Sequence, residues 1–236
     1  MIDTFIPDFK KACNTANEIL VCSDAITTFP FSMDSFIEKE TEFEMMYFSE
    51  LRALNIKPEE AVFSNDGALI DRNGKYIMFL NDDMPEKRQK FTECHECGHY
   101  YLQHDIEKLT EYRKNNDPRF MPLYKKYEAE ANMFSAQLQM PEQIIIELSK
   151  RGCRITQEFI ASVFGVSLPA ADLRMKNIKK IYDWYNLKNN HATIDYDDII
   201  LQKFKPFINS IAPHKFSYIE EFEREEEMER ERQSWY

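Results

Sequence analysis

Positions 95–99 read His-Glu-Cys-Gly-His, and no other stretch constrains the fold of this chain as tightly. Two histidines four apart act together only on a helix. At about 100° per residue they stand roughly 40° apart on one face and can aim both imidazoles at one point. Glu96 projects to the same flank, about 60° from His99, within reach of a water held at that point. Cys97 points about 160° away from His99 and reads as a packed thiol; Cys94 is displaced too. This donor set suits one Zn²⁺ ion, which takes three protein ligands in a catalytic site and keeps a fourth position open. Gly98 costs a helix up to ~1 kcal/mol relative to Ala, so its presence implies close approach of another backbone. His104 lies about 140° from His99 if the helix continues and reads as a packing or capping residue.

The third ligand has to come from elsewhere. Residues 122–139 form the next helical pattern, ended by Met140-Pro141. One stripe of it reads Glu128, Ala131, Asn132, Ser135, which is i, i+3, i+4, i+7 with small or polar side chains throughout. Such a face lets a second helix come close while presenting one carboxylate. Glu128 is therefore the expected third metal ligand, with Glu130 as the alternative off the stripe. Asn132, one turn on, is placed to hydrogen-bond the far nitrogen of a ligand histidine.

The run from Phe91 to His104 (Phe-Thr-Glu-Cys-His-Glu-Cys-Gly-His-Tyr-Tyr-Leu-Gln-His) and the run from Glu128 to Pro141 together resemble the ImmA/IrrE metallopeptidase family. The resemblance covers roughly residues 66–175 and rests on two separated motifs in the right order. It departs at Cys97, Ser135 and Gln139, none of them a proposed ligand. It implies a gluzincin-like site: His95, His99 and Glu128 on zinc, with Glu96 as catalytic base. It further implies a zinc metalloendopeptidase acting in the bacterial cytoplasm on a protein substrate, a helix-turn-helix transcriptional repressor being the usual kind.

Around this pair, the pattern predicts an α+β fold, mostly helical, with a small antiparallel sheet beside the zinc helix. Residues 68–70 and 76–80 flank Arg72-Asn73-Gly74-Lys75, and Asn-Gly is the strongest short hairpin signal. Residues 61–63 are the candidate third strand. An edge of this sheet bordering the cleft could take an extended peptide as an added strand. Helices are expected near 9–20, 41–54, 141–151 and 156–164 and from Pro169, with a polar loop over 110–117. Residues 155–174 resemble a helix-turn-helix. The domain reading is a peptidase domain at 1–145, a helix-turn-helix-like segment at 146–190 and an extension with an acidic tail at 191–236.

Charge bears on partners. The formal net charge is −11, which argues against a sequence-independent grip on nucleic acid. It is uneven: residues 150–183 carry seven Lys/Arg against three acids, and residues 216–236 eight Glu against three Arg. Five scattered cysteines do not make a disulfide framework, and Cys94-x-x-Cys97 has no second pair to complete a knuckle. No apolar run reaches membrane-spanning length, so the expected location is the cytoplasm. Two readings compete with the peptidase: a non-catalytic zinc-containing regulatory protein, and a DNA-binding regulator using the helix-turn-helix-like segment.

Overall fold

The computed structural model describes residues 6–188 and 196–213, with the side chains of 180–188 excepted. The chain opens with α1 (Phe9–Cys22), whose N–H at Lys11 is capped by the Asp8 carboxylate, and continues through α2 (Met33–Glu40). Next come β1 (Glu44–Tyr47), α3 (Phe48–Ala53) and α4 (Pro58–Val62), then the hairpin β2 (Gly67–Arg72) and β3 (Lys75–Leu80). The long helices α5 (Glu86–Tyr101) and α7 (Met121–Gln139) are separated by α6 (Ile106–Asn115). The described residues that follow form α8 (Glu142–Lys150), α9 (Gln157–Phe164), α10 (Leu168–Lys188), α11 (Asp197–Lys203) and α12 (Lys205–Ile211).

The α+β class holds, and the hairpin forms as expected. Asn73 and Gly74 both take positive φ (58° and 84°), the geometry a two-residue turn demands. The sheet is mixed rather than wholly antiparallel. Its order is β1-β3-β2, and β1 pairs parallel to β3 with Glu44 opposite Ile77 and Tyr47 opposite Leu80. Residues 41–54 are therefore a strand plus a short helix, not one helix: β3 offered an open side, and ladder pairing overrode local preference. Residues 61–63 are not a strand. Pro58 starts α4 at its first turn and Phe63 ends it in a left-handed conformation (φ 54°).

The polar loop expected over 110–117 is also overturned, because α6 occupies most of it. Asp105 caps it by accepting from the Lys108 N–H, and Ile106, Leu109 and Tyr112 are buried along one face. Asn116 ends it in the left-handed region (φ 50°). This correction matters, since α6 carries Arg113 into the site described below.

One buried cluster runs from Ala12 in α1 to Ala212. Phe29 sits at its aromatic centre, with ring centroids of Phe164, Phe204 and Phe207 at 5.4, 4.9 and 5.4 Å. Residues 155–174 have a helix-turn-helix outline, α9 and α10 joined through Gly165 (φ 67°). Arg174 in α10 is 1% exposed and donates to the Met140 carbonyl and to Gln137.

α5 and α7 pack face to face, and Gly98 is where they come closest. A Cβ on Gly98 would stand 2.9 Å from Phe134 Cδ1, 3.2 Å from Ala131 Cα and 3.3 Å from the Ala131 carbonyl oxygen. Gly98→Ala should therefore destabilise the fold by about 1–3 kcal/mol despite alanine's better helix propensity, because backbone has to move; denaturant unfolding measures it. On another face of α5, Glu93 is 6% exposed. Burial, and then the Asp34 charge, push its carboxyl up to about 7 from 4.5. The folded chain then holds a proton that the unfolded chain releases, so stability falls as pH rises from about 4.5 to 7. Glu93→Gln should be more stable than the parent at pH 8 by roughly 1–3 kcal/mol, with the gain shrinking toward pH 4.5. Thermal melts across that range check it.

Candidate metal centre

α5 contributes His95, Glu96 and His99, all buried, and α7 presents Glu128 and Asn132 to them. The small-residue stripe does face α5: Ser135 donates to the Phe91 carbonyl at 3.3 Å, beside Ala131 against Gly98. His95, His99 and Glu128 each offer a ligand atom, all within 4.8 Å of one another. The two Nε2 atoms are 3.0 Å apart, His95 Nε2 is 3.2 Å from Glu128 Oε2, and His99 Nε2 is 3.5 Å from Glu128 Oε1.

These three separations test the fit of an ion. A tetrahedral site with bonds near 2.05 Å has ligand atoms about 3.3 Å apart, so the triangle is the right size for zinc. Two imidazole nitrogens facing each other this closely also need a proton or a cation between their lone pairs. The donor set, two imidazoles and a carboxylate, is one that zinc takes in catalytic sites.

The other ring nitrogens are held from behind. His95 Nδ1 lies 3.1 Å from Asn132 Oδ1, the contact expected from the one-turn spacing. His99 Nδ1 lies 2.9 Å from His104 Nδ1, and His104 Nε2 is 3.0 Å from Glu130 Oε2. Glu130, the alternative ligand, thus lies off the triangle and pairs with His104.

Glu96 is fixed at both oxygens. Oε2 accepts the Leu69 N–H at 2.9 Å, from the free edge of β2, and Oε1 is 3.4 Å from Arg113 Nη2. The same Nη2 is 3.5 Å from Glu128 Oε1. Burial opposes charge on Arg113, yet Glu96 and Glu128 raise its pKa. Burial would also raise Glu128, but the His95 and His99 imidazoles beside it hold it well below the carboxylate range. For His95 burial is outweighed by Glu128 and Glu96, and its pKa is raised; for His99 burial wins, and its pKa is lowered. Burial, helped by His99, pushes His104 down to about 3.

Cys94 and Cys97 are buried free thiols, and burial raises both, which opposes the thiolate a metal needs. Tyr100 and Tyr101 pack in an aromatic group with Phe43, Tyr76 and Phe134. A cavity of about 300 Å³ opens over His95, Glu96 and Glu128, walled by Gly67, Phe91, Arg113 and Tyr124.

Of the residues that the sequence singles out, His95, Glu96, His99, Glu128 and Asn132 stand together in space. Sequence reasoning misses Arg113, although Asp105 followed by Ile106, Leu109 and Tyr112 is a legible helix signal. It misses the His104–Glu130 pair because the chain turns after α5: Gln103 takes φ 58°, and His104 comes back onto the His99 carbonyl at 3.0 Å.

A family profile described as Peptidase_M78, IrrE N-terminal-like domain, matches residues 57–176. No curated protein matches the chain. The matched span covers about half of the chain and includes α5, α6 and α7 with the whole triangle. With both motifs inside that span, the chain belongs to the IrrE N-terminal-like peptidase family.

Proposed function

We propose that this protein is a zinc-dependent metalloendopeptidase that cuts one peptide bond in a specific intracellular protein. The observation that carries this reading is the convergence of His95 Nε2, His99 Nε2 and Glu128 beside an open cavity that His95, Glu96 and Glu128 line, with His99 buried behind them. His95, His99 and Glu128 would hold a zinc ion, which would supply Lewis acidity toward the attacking water and the scissile carbonyl. Glu96 takes the proton of the attacking water and passes it to the leaving amine. Leu69 N–H and Arg113 hold the Glu96 carboxylate in place for both transfers. Asn132 sets the ring of His95.

An extended substrate segment meets the cavity on its Ser64–Gly67 side. It cannot pair at Leu69, whose outward N–H is already given to Glu96. A folded target would be cut at a linker or an opened strand. A helix-turn-helix repressor is the substrate class this family resemblance favours. Direct DNA binding through α10 is disfavoured, because Arg174 is buried in the protein rather than presented outward.

Two experiments test this. His95→Ala, His99→Ala and Glu128→Ala should each lose most bound zinc, while Cys97→Ser keeps it; metal analysis of the purified variants decides, and full zinc in Glu128→Ala removes the third-ligand assignment. Glu96→Gln should keep zinc and fold but lose about 10²–10⁴ of the hydrolysis rate. The assay uses a candidate helix-turn-helix repressor as substrate, with cleavage followed by gel and mass spectrometry. Cleavage by Glu96→Gln at the parent rate would exclude Glu96 as the base.

A further inference from the structure

Behind the triangle runs a second chain of hydrogen bonds that the mechanism does not use. It starts at His99 Nδ1, crosses 2.9 Å to His104 Nδ1, and leaves His104 Nε2 for Glu130 Oε2 at 3.0 Å. The other Glu130 oxygen accepts the backbone N–H of Asp8 at 2.6 Å, at the start of α1. His104 and Glu130 are 8% and 5% exposed. The His104 ring stacks on Tyr127, centroids 4.1 Å apart and planes 11° apart, which fixes its plane.

The chain has only one polarity. Its far end is a carboxylate that can only accept, so His104 must donate from Nε2. His104 Nδ1 then carries a lone pair and accepts from His99, so the His99 proton sits on Nδ1. That leaves the lone pair of His99 on Nε2, the nitrogen that faces His95 and Glu128.

We infer that His104 and Glu130 are positioning residues for the metal centre: they set the tautomer and ring orientation of His99. Through Asp8 they also tie α1, which lies outside the matched family span, to the affinity of the site for its ion. This rests on the metal-centre reading above. A ligand imidazole anchored at its far nitrogen is a stronger and better-aimed ligand.

The test is zinc affinity of the full chain, measured by competition with a chromophoric chelator, with apoprotein melting as the check on fold. His104→Asn sets an amide oxygen where Nδ1 stands, so it still accepts from His99 but loses the stack on Tyr127. His104→Phe keeps the stack and accepts nothing. Positioning predicts that Asn, which keeps the acceptor for His99 but loses the Glu130 contact, binds zinc several-fold more weakly than the parent, while Phe loses about 10–100-fold. A packing role predicts the reverse order, and affinity in Phe equal to or above that in Asn overturns the inference. Glu130→Gln has one acceptor oxygen for two N–H groups and should bind zinc several-fold more weakly than the parent. Parent-like affinity there also overturns the inference, independently of how the His104 variants fold. His95→Ala separates the two readings. Zinc lost in His95→Ala but fully kept in His104→Phe overturns the positioning role alone; zinc fully kept in both overturns the metal centre itself.

Discussion

The contact between the backbones of α5 and α7 at Gly98 and Ala131 is the constraint on which the site depends. Neither helix holds a complete donor set. His95 and His99 need a carboxylate, and Glu128 meets them only because no side chain stands between the two backbones there. Ser135 and the Phe91 carbonyl extend the same close packing by one turn. The distances in the triangle are sensitive to this approach, since protein interiors are close-packed and do not absorb an added methyl without shifting backbone.

Having brought four ionisable groups, His95, Glu96, His99 and Glu128, together in a largely buried place, the fold has to compensate them. Glu96 and Glu128 are two carboxylates on neighbouring helices, and buried like charges are costly unless paired. Arg113 lies between them at 3.4 and 3.5 Å, delivered by α6. The sheet contributes as well. The Leu69 N–H would otherwise be an orphan donor on an edge strand, and Glu96 accepts it. Each of these partners comes from a different element, so α5, α6, α7 and β2 hold the site jointly. The apolar cluster from Ala12 to Ala212 lies outside this polar centre and carries the ordinary burden of burial.

Much of this arrangement is legible in the order of residues. A helix repeats about every 3.6 residues whatever it packs against, so the placement of His95, Glu96, His99, Glu128 and Asn132 on facing stripes follows from spacing. The same holds for the role of Gly98 as a point of contact, and for the Asn73-Gly74 turn, where local backbone freedom decides the conformation. The departures share a cause. Local preference makes residues 41–54 a helix, but Glu44–Tyr47 takes the open side of β3, far away in sequence. Extending α5 past its end misplaces His104, because Gln103 at φ 58° bends the chain back.

The sequence by itself therefore determined the grouping of His95, Glu96, His99 and Glu128 and the two helices that carry them, because periodicity is a local property of the backbone. It also determined the hairpin and the general α+β class. The tertiary structure alone decided what stands around those donors: Arg113 between two carboxylates, the Leu69 N–H on Glu96, and the line from His99 through His104 and Glu130 to Asp8. These are pairings between groups distant in the chain. Which polar group satisfies which is settled by the requirement that buried donors and acceptors find partners once the core has closed, and no spacing rule encodes that outcome.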